Sequence, residues 1–192
     1  MISTLCRALL TLAGWQIDEA QRPNAPRYVL IGYPHTSNWD FILAMLVKGA
    51  LGFHFHWIAK HTLFRWPLGP LMRALGGIGV DRSKSSGFIN ALVQEYAAHE
   101  ALVIVITPEG TRRHRPYWKS GFYHLALAAR VPLVLGYIDA SRKQIGFGPT
   151  LQLSGDQQRD LTAIRAFYAD KRGIHPEDAG SIQFRARPEE NR

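Results

Sequence analysis

His35 and Asp40 are separated by four residues in the segment Tyr33-Pro34-His35-Thr36-Ser37-Asn38-Trp39-Asp40, after one apolar run and before another. A carboxylate on one imidazole nitrogen fixes the tautomer and stabilises the imidazolium that forms when the other nitrogen takes a proton. On a regular helix, residues five positions along differ by about 140° around the axis. The two side chains therefore meet only if His35 lies in a loop and Asp40 in the first turn of the following helix. Thr36, Ser37 and Asn38, all good N-cap residues, supply that boundary. No Gly-x-Ser-x-Gly elbow is present, and no cysteine stands out as catalytic. The pair reads as a general base without a protein nucleophile, so the nucleophile is expected to be a hydroxyl of the substrate.

The spacing alone is common, and a second polar segment gives it weight. Pro108-Glu109-Gly110-Thr111-Arg112 follows the strongest strand signal in the chain, as His35 follows another strand. Ligands of open α/β sheets gather beyond the carboxyl ends of strands. If the two strands are parallel, both loops share one sheet edge. Gly110 permits close backbone approach, Thr111 offers a hydroxyl, and Arg112 can grip a phosphate through two parallel hydrogen bonds. Arg113, Arg115 and Lys119 extend the positive field. Lys60 and Arg82 are further cations at strand ends, and the position of Lys60 suggests a phosphate contact.

These loops need a scaffold, and the pattern of apolar runs predicts one. Helices are expected over 1–13, 39–51, 85–100, 118–130 and 160–171, with short helical pieces over 63–75. Buried strands are expected over 27–32, 54–59, 102–106 and 132–140. A glycine-rich turn with a short strand is expected over 76–82. Residues 16–26 read as a loop, 143–153 as edge strands, and 176–192 as a polar, partly frayed tail. Strands alternating with helices predict an α/β fold: a single layered domain over 1–192 with a mixed, largely parallel β-sheet flanked by helices.

Bulk properties narrow the partners. The chain has 192 residues, 46% hydrophobic, with a formal net charge of +8. That charge favours anionic partners. No basic, aromatic-interleaved helix or nucleic-acid motif accompanies it, so no nucleic-acid partner is expected. Cys6 is the one cysteine, which excludes an internal disulfide and fits a reducing compartment. No run reaches the roughly 18–20 apolar residues needed to span a bilayer. Residues 1–15 could instead form an interfacial helix.

Four blocks in order then carry a family resemblance: His35 to Asp40; Gly76 to Arg82, ending in Asp-Arg; Pro108 to Arg112; and Val131-Pro132-Leu133-Val134. The chain resembles the glycerolipid acyltransferases, in particular the 1-acyl-glycerol-3-phosphate acyltransferase family. The resemblance implies a glycerol-3-phosphate acyltransferase-like fold and transfer of a fatty acyl group from acyl-CoA or acyl-carrier protein to a lyso-lipid hydroxyl. It makes His35 the base and Asp40 its partner. It assigns Glu109, Gly110, Thr111 and Arg112 to the acceptor headgroup with Arg82 assisting, and places Pro132 near the donor. No metal and no cofactor is expected, the acyl thioester being a co-substrate. A peripheral or monotopic enzyme on the cytoplasmic face of a membrane is expected. Gly79, Thr107 and the Leu135-Gly136 pair depart from the family pattern. They leave the catalytic pair untouched and bear on acceptor identity.

Other readings of the same residues are acyl transfer to a non-glycerol lipid alcohol, a hydrolase in which His35 activates water, and a basic membrane- or nucleic-acid-binding protein without catalysis. A metal site from His54, His56 and His61 lacks a suitably spaced carboxylate.

Overall fold

Five consecutive apolar residues, Leu102 to Ile106, must be covered on both faces, and they are. The computed structural model describes residues 1–80 and 85–185. Among these residues one sheet has seven strands: β1 (Gln16–Asp18), β2 (Arg27–Tyr33), β3 (His56–Lys60), β4 (Gly77–Val80), β5 (Leu102–Ile106), β6 (Leu133–Asp139) and β7 (Gln144–Leu151). Their order is β1-β7-β6-β2-β5-β3-β4. Strands β2 to β6 are mutually parallel, β7 runs antiparallel to β6, and β1 runs parallel to β7. The helices are α1 (Ile2–Leu12), α2 (Trp39–Leu51), α3 (Gly69–Ala74), α4 (Ser85–Ala98), α5 (Gly121–Ala129) and α6 (Gln157–Tyr168). The expected mixed, largely parallel sheet flanked by helices is present.

Alternation along the strands sorts the core into two layers. Val29, Ile31 and Tyr33 of β2, Ile104 of β5, and Leu133, Leu135 and Tyr137 of β6 pack with α4, α5 and α6. Tyr28, Leu30, Val103 and Val134 face the other way, against Phe41 and Met45 of α2 and against Phe64 and Met72. On that same face Leu10 of α1 joins Leu43, Val47 and Ala50 of α2 over Ile138 and Ile145. Fully burying one such side chain stabilises the fold by about 1.5–3 kcal/mol. Gly49 sets the approach of α1 to α2, because a Cβ there would lie 2.6 Å from Cys6 Sγ.

Several elements differ from expectation for identifiable reasons. Residues 16–18 are a strand because their backbone groups pair with β7, Gln16 opposite Gln144. Residues 144–151 form one strand and, covered by β1, it is not an edge. Helix α6 starts three residues early because the Asp156 side chain accepts the N–H groups of Gln158 and Arg159. Helix α5 starts late, at Gly121, because the backbone N–H of Trp118 donates to Gln183 O at 2.7 Å. Residues 81 and 82, expected to end the glycine-rich turn and strand, lie outside the described residues, as does 186–192 of the expected tail.

Candidate active site

The parallel pairing of β2 with β5, Ile31 opposite Ile106, brings the loops after Tyr33 and Ile106 to one sheet edge. The expectation of a shared edge rested on that pairing. His35 follows β2 in a loop, and Asp40 lies in the first turn of α2. The His35 Nδ1 is 3.2 Å from Asp40 Oδ2. The same oxygen accepts the backbone N–H groups of Thr36 and Ser37, each at 2.8 Å. Asp40 thus closes the loop back on itself, and none of the N-cap candidates does so. Asn38 is the N-cap but makes no side-chain cap bond, and Ser37 Oγ accepts from Trp39 N at 3.3 Å. With Nδ1 committed to Asp40, Nε2 is the nitrogen left for a substrate proton. The imidazole keeps 17% of its side chain accessible, against 2% for Asp40. Asp40 Oδ1 is buried with no hydrogen-bond partner among the described residues.

Glu109 is 2% exposed. Its Oε2 accepts the backbone N–H of His35 at 2.8 Å, and its Oε1 accepts that of Gly180 at 2.6 Å. Both oxygens therefore face inward, one toward the loop that carries His35 and the other toward Gly180. Burial pushes the Glu109 carboxyl up to about 7, helped by the nearby Asp40 and Asp178 charges and opposed by the two N–H donors. The rest of its loop faces outward. Gly110 has φ +65°, a left-handed conformation, and a Cβ there would meet the Lys119 side chain at about 3 Å. Thr111 is half-buried and Arg112 exposed. Lys60 is exposed at the end of β3, on the same edge, with β5 between it and β2. Pro132 immediately precedes β6, and its carbonyl accepts from Val29 N at 3.0 Å. That places it at the opposite end of the sheet from His35. Arg82 lies outside the described residues.

The sequence reading missed the segment 173–185. It is a strap across both loops. His175 N–H donates to Thr36 Oγ1 at 3.1 Å. The Tyr33 hydroxyl, which burial pushes up to about 12, donates to Gly180 O at 3.1 Å. Ser181 N–H donates to Arg115 O at 3.0 Å, and Gln183 Nε2–H to Pro116 O at 2.7 Å. Beneath the strap the Tyr33 ring packs edge-on against Trp118 and Tyr168, with centroids 4.9 Å away in each case. The alternating Ile182 and Phe184, both half-buried, were the available signal.

Behind the Thr107 to Gly110 turn lies a cavity of about 650 Å³. Ile58, Phe88, Leu92, Ile106 and Phe122 line its wall, with Lys119 and Arg185 at its polar margin. Among the described residues no group of three His, Cys, Asp or Glu side chains could hold a metal ion.

The sheet order and the paired loops define an α/β fold with its candidate site at the carboxyl ends of the parallel strands. A model of the family described as Acyltransferase matches residues 17–137, and the chain belongs to that family. The crystal structure of the 1-acyl-sn-glycerophosphate (LPA) acyltransferase PlsC from Thermotoga maritima is similar, with a TM-score of 0.61. That likeness covers 86% of this chain and 74% of the other at 13% identity, and it is a likeness of fold. A comparison with curated proteins finds no match. The strap lies beyond the residues that the family model matches.

Proposed function

We propose that this protein transfers a fatty acyl group from an acyl thioester, acyl-CoA or acyl-carrier protein, to the free hydroxyl of a lysophosphatidate-like lyso-glycerophospholipid. The observation that carries the reading is the His35–Asp40 pair: a base with a fixed tautomer, on a family fold of acyl transfer, with no protein nucleophile indicated. His35 Nε2 takes the hydroxyl proton as that oxygen bonds to the thioester carbonyl carbon. The resulting tetrahedral oxyanion is held by backbone N–H groups of the first turn of α2 or by Lys60. Its collapse breaks the C–S bond, and the proton on His35 passes to the leaving thiolate.

Arg112, Gly110, Thr111 and Lys60 would hold the acceptor phosphate, with Arg82 assisting, and the cavity behind Gly110 has room for an apolar chain. Glu109, whose oxygens are turned inward, would serve by holding the His35 loop. The donor role that the resemblance gives to Pro132 would be indirect, through its seat beneath β2. The enzyme would work as a peripheral or monotopic protein on the cytoplasmic face of a membrane. Helix α1 supports this, since Ile2, Leu5, Leu9 and Leu12 repeat along one exposed face. No helix among the described residues is long and apolar enough to cross a bilayer.

The test is a panel of lyso-lipid acceptors with acyl-CoA and acyl-carrier protein donors, with products read by mass spectrometry. A new diacyl lipid is the expected product. Thiol release that is equal with and without acceptor would indicate a hydrolase and overturn the reading.

A further inference from the structure

Among the described residues, the large exposed apolar side chains lie on one side of the sheet. They fall in three stretches: Met1 to Leu12, Trp39 to Ile42, and Leu63 to Leu71. All three belong to the layer that covers one face of the sheet. Helix α1 packs on α2 over Ile138 and Ile145. On the far side of α2, Phe41 and Phe64 both pack against Trp57, at 4.8 and 5.8 Å. The opposite layer, α4 to α6, contributes none of these side chains.

One end of each stretch lies at one edge, although the start of α1 lies by the far end of α2, where Ser3 Oγ donates to Ala50 O at 2.6 Å. Helix α2 begins at the edge where β2 ends, beside His35. The Leu63 to Leu71 segment departs from the same edge, where β3 ends at Lys60. Helix α1 leads into Gln16, which pairs with the first residue of β7, and that too lies at the carboxyl edge of the parallel strands.

Charge separates this layer further. Positions 41–80 contain no Asp or Glu, yet they carry Lys48, Lys60, Arg65 and Arg73. Lys48 is held inside by the carbonyls of Phe55 and Leu75. Lys60 and Arg65 are exposed on either side of Leu63. Trp66 is 88% exposed and is followed by Leu68 at 53% and Leu71 at 54%. A protruding tryptophan with flanking leucines and cations matches the chemistry of a lipid headgroup interface: an amphipathic ring, apolar anchors and charge opposite anionic lipid.

We propose that Leu63, Trp66, Leu68 and Leu71 form a second lipid-docking wing, distinct from α1, which with Arg65 seats the His35 edge of the sheet on an anionic bilayer. An acceptor with its headgroup at the bilayer surface would then reach His35 without leaving the membrane. The proposal rests on the lipid-surface part of the functional reading and deepens it.

The test is co-sedimentation of the full chain with vesicles of phosphatidylcholine, with and without phosphatidylglycerol, which needs no acyl transfer. Wild type is expected to favour the anionic vesicles. The double variant Trp66→Glu/Leu71→Glu should lower partitioning about tenfold or more with an unchanged melting temperature. Arg65→Gln should narrow the preference for phosphatidylglycerol. A double variant that binds within twofold of wild type would overturn the proposal. So would a chain that ignores vesicles and instead self-associates through Trp66. Absence of acyl transfer alongside normal vesicle binding would remove the enzymatic reading and leave the wing standing.

Discussion

The carboxylate of Glu109 holds the backbone of His35, at 2.8 Å from Oε2 to the amide nitrogen. The other oxygen, Oε1, holds Gly180 at 2.6 Å. One buried side chain therefore joins three segments far apart in sequence: the loop after β2, the loop after β5, and the strap. Positions 35 and 109 have no common local element, so their relation is set by the β2–β5 pairing. Glu109→Gln keeps the shape but turns an N–H toward one of the two donors. It should lower kcat about tenfold or more with little change in the acceptor KM, and a split in the opposite sense would contradict a positioning role. An unmatched buried donor costs about 1–3 kcal/mol.

The same residue sets a pH dependence. The folded chain keeps the Glu109 proton up to about pH 7, whereas the ordinary carboxyl value is 4.5. Between these values the folded state binds more protons than the unfolded state, so this group makes stability fall as pH rises from about 4.5 to 7. Above that range its contribution is level. The total is on the order of 3 kcal/mol. Chemical denaturation across this range should show the slope in wild type and its loss in Glu109→Gln.

Asp40 gathers three donors on one oxygen: His35 Nδ1, Thr36 N and Ser37 N. Asp40→Asn would keep the volume while removing the charge that stabilises an imidazolium. Steady-state kinetics should show kcat reduced by roughly 10²–10⁴. A loss below threefold would mean that Asp40 acts only as a loop clamp.

Gly173 is the first residue of the strap, and an added Cβ there would sit 2.6 Å from Thr36 Oγ1 and 3.2 Å from Pro34 Cβ. Gly173→Ala must therefore shift the loop that carries His35. Thermal unfolding should show about 1–3 kcal/mol of destabilisation, with reduced kcat in the surviving folded fraction. Gly155→Ala is the contrasting case, with φ +87° but nothing within 4 Å of its Cβ position. With no neighbour there among the described residues, it should cost stability through backbone strain and leave kcat unaltered.

Arg112 is exposed at the mouth of the site. If it holds the acceptor phosphate, Arg112→Ala should raise the acceptor KM about tenfold or more and leave the donor KM in place. Equal effects on both substrates would assign Arg112 to general electrostatics.

The features that local pattern controls could be read from the chain. β5 announced itself as an unbroken apolar run, and the turn from β2 into α2 was marked by Pro34 and the polar residues before Trp39. The meeting of His35 with Asp40 followed from helix geometry. What could not be read depended on backbone groups meeting across long sequence distances. β1 is three residues long and pairs through its main chain. The strap is held by N–H and C=O groups of residues with no distinctive side chains, notably Gly180. The headgroup role of Glu109 came from the resemblance alone; that its oxygens meet the backbone N–H groups of His35 and Gly180 is visible only in the folded chain.

The central claim is that His35 is the base for acyl transfer to a lipid hydroxyl. The most direct measurement is product formation by mass spectrometry, with an acyl thioester and a lysophosphatidate-like acceptor, for wild type and His35→Ala. Wild type is expected to yield the diacyl product, and the variant, with an unchanged melting temperature, to fall by about 10³ or more. Turnover by the variant within tenfold of wild type would contradict it.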